Sequence, residues 1–119
     1  YALLIHRGTT AGLRFYSRKV SSGQTNLSLF DMFVYADTSG GSAIFMLPDN
    51  PPPNQFYLIR KLKAANKVIV SSPSSSKDLI YSTGNDKATQ KIEWTGRRAG
   101  ILQYSEDLGA WVLEFTYEA

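Results

Sequence analysis

The chain of 119 residues contains no cysteine and only one histidine, His6. Without cysteine there is no disulfide and no thiolate metal ligand. A transition-metal site normally uses several His or Cys side chains, and a single histidine also excludes most sites in which an imidazole activates a nucleophile. We therefore expect no metal, no cofactor and no catalytic residue, and we interpret His6 as a structural or surface residue.

Long apolar segments are absent from the sequence as well. No run approaches the roughly 20 apolar residues that cross a bilayer, so we expect no membrane insertion. The segment Tyr1–Ile5 is too short for a signal peptide, and the chain starts without Met. We expect residues 1–119 to form one domain that is the ordered part of a longer chain.

The excess of positive charge is small, with 13 Lys and Arg against 10 Asp and Glu. Nucleic-acid modules usually gather more cations on one face. Two basic clusters stand out: Arg97-Arg98, and Arg60, Lys61, Lys63 and Lys67. Because neighbouring side chains on a strand point to opposite faces, neither cluster forms one clear patch. We interpret both as solvated or interface charge and keep a nucleic-acid-binding β-barrel as an alternative.

Segments with convincing helical character are scarce. Turn residues recur at intervals of about 8–12 residues, which is typical of a sandwich or barrel. The rival is a helix, because four apolar residues follow helical spacing: Leu58, Leu62, Ala65 and Ile69. We prefer strands there, since Val68-Ile69-Val70 is β-branched and no helix cap is visible. The sequence predicts an all-β fold, a small antiparallel β-sandwich or jelly-roll-like barrel of about 8–10 short strands.

The last third of the chain, Ile92 to Tyr117, carries the densest aromatic pattern. The segment after the turn Ser105–Gly109 places large apolar residues at every second position: Trp111, Leu113, Phe115 and Tyr117. Alternation on both sides of a turn predicts a hairpin with one buried face. We expect this hairpin to close the core.

Other strands have apolar residues on both faces, which one core cannot cover. We predict an oligomer interface at Phe56, Leu58 and Ile69. The stretch Pro48–Pro53 is a stiff surface loop, because proline fixes φ and has no N–H donor. The residues that we expect at a partner-binding surface are Asn50, Pro51, Pro52, Pro53, Trp94 and Tyr104.

One pair of carboxylates, Glu106 and Asp107, lies in the predicted turn. Paired carboxylates can perform acid–base chemistry, as in a small hydrolase. Adjacent acids before a glycine are more often turn formers, which is our interpretation here.

The second half of the chain shows a sequence of short motifs: Leu47-Pro48, Tyr57/Ile59/Lys61, Asn66/Val68/Val70, Asp78/Ile80, Leu102 and Trp111/Leu113. Over residues 43–115 this order resembles the small C-terminal β-domains of bacteriophage virion appendages, namely tail-fibre, head-fibre and capsid-decorating proteins. The resemblance implies a homotrimeric, non-enzymatic structural protein of the virion. Such a protein attaches to the capsid or tail, or binds a protein or glycan of the host surface. The alternative is a carbohydrate-binding β-sandwich, which requires an exposed Trp94 or Tyr104.

Overall fold

The computed structural model describes residues 5–6, 12–13, 17–82 and 86–116, which contain strands and turns and no helix. The strands are β1 (Ile5–His6), β2 (Gly12–Leu13), β3 (Ser17–Val20), β4 (Gly23–Asn26), β5 (Phe33–Ala36), β6 (Ala43–Met46), β7 (Phe56–Lys61), β8 (Val68–Ser71), β9 (Ile80–Ser82), β10 (Lys91–Trp94), β11 (Ala99–Ser105) and β12 (Ala110–Phe115). The prediction of an all-β protein is confirmed, and strands rather than a helix occupy Leu58 to Ile69.

Two sheets pack face to face as a small sandwich. The large sheet has the order β3-β5-β7-β11-β12-β9, and the small sheet has the order β10-β8-β6-β4; β1 and β2 pair with each other. The sandwich was predicted, but its antiparallel character was not correct. Five pairings in the two larger sheets are parallel: β3 with β5, β5 with β7, β4 with β6, β6 with β8, and β9 with β12.

Parallel pairing arises because the chain crosses from one sheet to the other at every step from β3 to β8. Each pair β3–β4, β5–β6 and β7–β8 is therefore an arch whose two strands lie in different sheets, and the three arches stack in register. A hairpin would have placed consecutive strands side by side in one sheet. A turn that joins strands of different sheets can contain the same residues as a hairpin turn, so turn residues alone do not distinguish an arch from a hairpin.

Along strands such as β7, every second side chain is buried, as the period-2 pattern of apolar residues in the sequence predicts. In β7 the inward residues Tyr57 and Ile59 are fully buried, and in β12 so are Trp111 and Leu113. The Trp111 ring packs between two tyrosines, with ring centroids 5.6 Å from Tyr57 and 5.4 Å from Tyr104. The hairpin of β11 and β12 thus closes the core as predicted; Tyr117 lies outside the described residues.

Trp94 departs from the prediction that it lies at a partner-binding surface, because it is 4 % exposed and belongs to the core. From β10 in the small sheet its ring reaches across to Gly100 in the large sheet, where an added Cβ would come within 2.8 Å of Trp94 Cη2. Its Nε1 donates to the carbonyl oxygen of Arg98 at 3.2 Å. The missing side chain at Gly100 is the physical reason that a tryptophan near a strand end fits inside.

The sandwich has two different ends. One, the arch end, consists of the turns 21–22, 37–42 and 62–67 together with residues 95–98. The other, the loop end, consists of the connections 27–32, 47–55, 72–79 and 105–109. These connections support one another: Gln55 Nε2, for example, donates to the carbonyl oxygen of Leu29 at 2.9 Å.

At the arch end, polar side chains donate hydrogen bonds to backbone carbonyl oxygens of the turns. Lys61 is 1 % exposed, and its Nζ donates to the carbonyl oxygens of Lys63 and, at 3.1 Å, Ala65. Thr38 Oγ1 donates to the same Ala65 oxygen at 2.6 Å, while Asn66 Nδ2 donates to the Thr38 carbonyl at 2.8 Å. Lys61 is therefore a structural residue that ties the 62–67 turn to its neighbour, and it takes no part in a surface basic patch.

Candidate functional site

The loop end carries two adjoining depressions, of about 380 Å³ and about 180 Å³, which share Pro53, Tyr104 and Glu106. We call them together the groove. The larger depression is lined by Pro53, Asn54, Gln103, Tyr104, Ser105, Glu106, Asp107 and Val112. The smaller one is lined by Asn50, Pro51, Pro53, Lys77, Asp78, Tyr104 and Glu106.

One wall of the groove is the proline loop, residues 47–55. Its shape depends on Asn50 and Asn54, which have positive φ angles of 49° and 65°; asparagine tolerates this conformation better than most residues. Asn54 N donates to the Tyr104 carbonyl oxygen at 3.0 Å, and Tyr104 N donates to the Gln55 carbonyl oxygen at 2.9 Å. These bonds extend the β7–β11 ladder into the loop, so the loop is held against the sheet.

Tyr104 forms the centre of the groove. Its ring contacts Trp111 edge to face, with centroids 5.4 Å apart at 64°. Its hydroxyl donates to Asp78 Oδ1 at 2.8 Å. This hydrogen bond to a carboxylate, followed by partial burial, raises the pKa of Tyr104 above its ordinary value. Tyr104 is thus a neutral aromatic residue fixed at both its ring and its hydroxyl.

Lys77 links its own loop, residues 72–79, to the proline loop across the smaller depression. Its Nζ donates to Asn50 Oδ1 and lies 3.8 Å from Asp49 Oδ1. The side chains of Lys77 and Asp49 are 53 % and 67 % exposed, so this ion pair adds little stability in water. Its structural effect is to place the ammonium group among oxygen atoms of the proline loop.

The β11–β12 turn supplies the opposite wall. Gly109 has a φ of +61°, and its N–H donates to the Glu106 carbonyl oxygen at 3.2 Å. Glu106 and Asp107 are exposed, and both line the larger depression. They form the turn, as predicted, and in addition they face the groove.

Four of the six residues predicted for a partner-binding surface come together here: Asn50, Pro51, Pro53 and Tyr104. Pro52 lies in the same loop but does not line either depression, and Trp94 is in the core. No sequence pattern indicated that Asp78, Gln103 or Val112 would join this surface. A signal existed for Glu106 and Asp107, since acids at the tip of a hairpin lie at the same end as the loops that flank its strands.

The three residues predicted for an oligomer interface do not lie on one surface. Phe56 and Leu58 point outward from the large sheet, where Leu58 is paired with Phe33 and Ile101 and the Phe56 ring lies 6.1 Å from that of Phe33. Ile69 points outward from the small sheet beside Ile44. Phe56, Leu58 and Ile69 are all half-buried. Each outer face therefore has its own apolar centre.

The residues of the two basic clusters have different environments in the fold. Lys67 Nζ lies 2.9 Å from Glu93 Oε1, which lowers the pKa of that carboxyl group through their hydrogen bond and charge attraction. The Arg98 guanidinium lies 4.8 Å from the Phe115 ring centroid. With Lys61 buried as well, at least three of these six cations are engaged by other groups of the chain.

Within the described ranges, no group of three or more His, Asp or Glu side chains could hold a metal ion. The same ranges contain no helix that is long and apolar enough to cross a membrane. Comparison with protein-family models and with curated proteins finds no match for the chain.

Proposed function

We propose that this chain is a non-enzymatic attachment domain of a virion appendage, and that it contacts its partner through the groove. The observation that carries the proposal is the convergence of three loops and a fixed aromatic residue, Tyr104, at one end of a rigid β-sandwich. Recognition residues commonly lie on loops that a rigid scaffold positions. The partner in this proposal is a capsid or tail protein, or a protein or glycan of the host surface.

The resemblance to phage appendage domains supports the scaffold part of the proposal. Most of its motif residues point inward: Tyr57, Ile59 and Lys61 in β7, Val68 and Val70 in β8, and Leu102, Trp111 and Leu113 in the closing hairpin. Asn66 and Asp78 take positive φ angles of 62° and 52° at turns. Most of the shared motif positions therefore build the sandwich, and one of them, Asp78, also lines the groove.

The trimer in this proposal follows from the resemblance to phage appendage domains, and the apolar outer faces offer surfaces through which copies could meet. In a twofold dimer the same patch meets itself, whereas in a cyclic trimer two different patches meet. Phe56 and Leu58 lie on one outer face and Ile69 on the other, so the two patches can meet in a head-to-tail contact, which closes into a trimer only if successive copies are rotated to form a ring. Three copies would present three grooves, so that weak single sites act together through avidity.

Two measurements test the proposal. Light scattering should give three times the 13.2 kDa mass of one chain. Fluorescently labelled domain should bind intact cells of some members of a broad bacterial panel, and Tyr104→Ala should abolish that binding. The matched control is Lys63→Gln, an exposed residue of the arch end, which should bind normally. A monomer that binds neither cells nor virion proteins would contradict the proposal.

A carbohydrate-binding module is the second candidate, and the groove favours it specifically. Pro53 and Tyr104 offer apolar surface beside the amides of Asn54 and Gln103 and the carboxylates of Glu106 and Asp107. Sugars present an apolar ring face and a rim of hydroxyl groups, so a site for them combines aromatic surface with oxygen and amide partners. Nucleic acid fits less well, because these carboxylates would face its phosphates; flat binding between low and moderate salt would rule it out.

A further inference from the structure

The charge of the groove is opposite in sign to that of the whole chain. The carboxylates that line the groove are Asp78, Glu106 and Asp107, and its one ammonium group belongs to Lys77. A fifth charged group, Asp49, lies outside the lining and pairs with Lys77. The three lining carboxylates and the ammonium give the groove a formal charge of −2, on a chain whose formal net charge is +3. A ligand of this site therefore meets a local potential that the overall composition does not predict.

The five charged groups differ in what they already bind. Lys77 is placed between Asn50 Oδ1 and Asp49 Oδ1, and Asp78 accepts the Tyr104 hydroxyl at 2.8 Å. Glu106 and Asp107 form no ion pair with any residue in the described ranges. Both line the larger depression. The groove thus has two carboxylates that can accept hydrogen bonds from a ligand, while its one cation is already surrounded by oxygen atoms.

On this basis we infer that the groove takes uncharged or amino-bearing saccharides and discriminates against anionic ones; the inference rests on the proposed glycan recognition. Ionised carboxylates act only as acceptors, so they bind sugar hydroxyl or ammonium donors and repel phosphate, sulfate and uronate groups. Repulsion by two carboxylates at distances near 4 Å in water weakens binding of a singly charged anion by roughly tenfold or more.

The experiment compares oligosaccharides that share one backbone and differ in charge. A β-1,4-linked glucosamine hexamer carries positive charge, its N-acetylated form is neutral, and the 6-O-sulfated N-acetylated form is negative. Neutral and sulfated glucan and galactan hexamers extend the comparison to other backbones. Affinities for the purified, full chain are measured by calorimetry at 20 and 500 mM NaCl, because salt screens charge repulsion but leaves hydroxyl contacts nearly unchanged.

We expect at least one neutral or amino-bearing hexamer to bind, and its sulfated form to bind about tenfold more weakly at low salt. The double variant Glu106→Gln, Asp107→Asn should reduce that difference to less than about threefold. Its matched control, Lys63→Gln at the arch end, should leave the difference unchanged. Tyr104→Ala should remove binding of the neutral hexamer, which places the interaction in the groove.

The outcomes separate the inference from the proposed function. If a sulfated hexamer binds as tightly as its neutral form, and Tyr104→Ala abolishes both, the groove binds glycans but the inferred selectivity is wrong. If no hexamer of any charge binds, glycan recognition by this groove is wrong and the selectivity falls with it.

Discussion

Gly100→Ala should destabilise the domain, because Gly100 provides the space into which Trp94 packs. Gly100 lies in the large sheet between Ile59 and Phe115. A Cβ at this position would lie 2.8 Å from Trp94 Cη2 and 3.0 Å from Leu113 Cδ1. Since carbon atoms pack at about 3.5–4.0 Å, the new methyl group would overlap the tryptophan ring by roughly 0.7 Å.

Trp94 cannot easily move away from this overlap. Its ring is 4 % exposed, its Nε1 donates to the Arg98 carbonyl oxygen at 3.2 Å, and its face meets Phe115 with ring centroids 5.1 Å apart. Forcing extra volume into a packed core costs about 1–3 kcal/mol. For a domain of this size that corresponds to a fall in Tm of roughly 3–6 °C for each kcal/mol.

Guanidinium denaturation followed by tryptophan fluorescence measures this loss, since both tryptophans are buried. The matched control is Gly40→Ala, where an added Cβ would lie 3.8 Å from Ser22 Oγ, an ordinary contact. In a second test, Trp94→Phe is combined with Gly100→Ala. The smaller ring should accept the methyl group, so that the double variant is less destabilised than the sum of the single variants. An unchanged denaturation midpoint for Gly100→Ala, or strict additivity, would refute the packing argument.

Three further substitutions test hydrogen bonds that stabilise the arch end and the loop end of the sandwich. Gln55→Ala should lower the free energy of unfolding by about 1–2 kcal/mol in chemical denaturation, because the amide of Gln55, which is 3 % exposed, no longer donates to the 27–32 loop. Its control is Gln103→Ala at an exposed position, and an equal loss of stability in both variants would contradict this reasoning. Thr38→Val keeps the shape of the side chain but removes the 2.6 Å hydrogen bond from Thr38 Oγ1 to the Ala65 carbonyl oxygen, so we expect a similar fall in the free energy of unfolding. An unchanged stability would show that this bond does not hold the two turns together. The pKa of Tyr104 is raised by its bond to a neighbouring carboxylate, so this bond stabilises the fold fully below the ordinary tyrosine pKa and is lost as pH rises through the raised value. Subtracting the ultraviolet titration of Tyr104→Phe should therefore reveal one tyrosine that ionises above pH 10, and ionisation at or below the ordinary value would contradict the bond.

The apolar pattern of the sequence predicted the inward faces of β7 and β12 correctly. Alternation assigned Tyr57, Ile59, Trp111 and Leu113 to buried positions, and all four are fully buried. This success has a local cause, because the side-chain period of an extended chain is two and depends only on neighbouring residues. The closing hairpin was predictable for the same reason, since its turn and both its strands are contiguous in sequence.

The pairing of strands was not predictable in this way. Alternation tells which side chains face the core but not which strand lies beside which. The turns 37–42 and 62–67 contain the residues of a hairpin turn, yet they join strands of different sheets. The difference arises from long-range packing of one inner face on the other, which turn composition does not encode. Trp94 was misplaced for a related reason: the cavity that receives it is formed by Gly100 on the facing sheet.

The groove was predicted in part, through the proline loop and Tyr104. The rest of its lining comes from segments that only the fold brings together, such as Asp78 and Glu106. Sequence reasoning treated the acids of the 105–109 turn as turn formers, and the turn geometry agrees with that interpretation. It could not show that the same side chains would face a depression, because the facing wall lies about 50 residues earlier in the chain, at Pro53.

The two ends of the sandwich make different use of their side chains, and this difference supports the proposed placement of the partner surface at the loop end. At the arch end Lys61 and Thr38 direct their polar groups inward to bind turn carbonyls. At the loop end, by contrast, Leu29, Phe30 and Leu108 are 45 %, 72 % and 60 % exposed. Isolated exposed apolar residues are ordinary, but several at the end that also holds the groove are typical of a contact surface. The loop 27–32 is moreover held by Gln55 and by the Tyr57 hydroxyl, which donates to the Ser28 carbonyl oxygen at 2.9 Å. A preorganised loop loses little conformational entropy on binding, which suits the 27–32 loop to the contact surface that we propose.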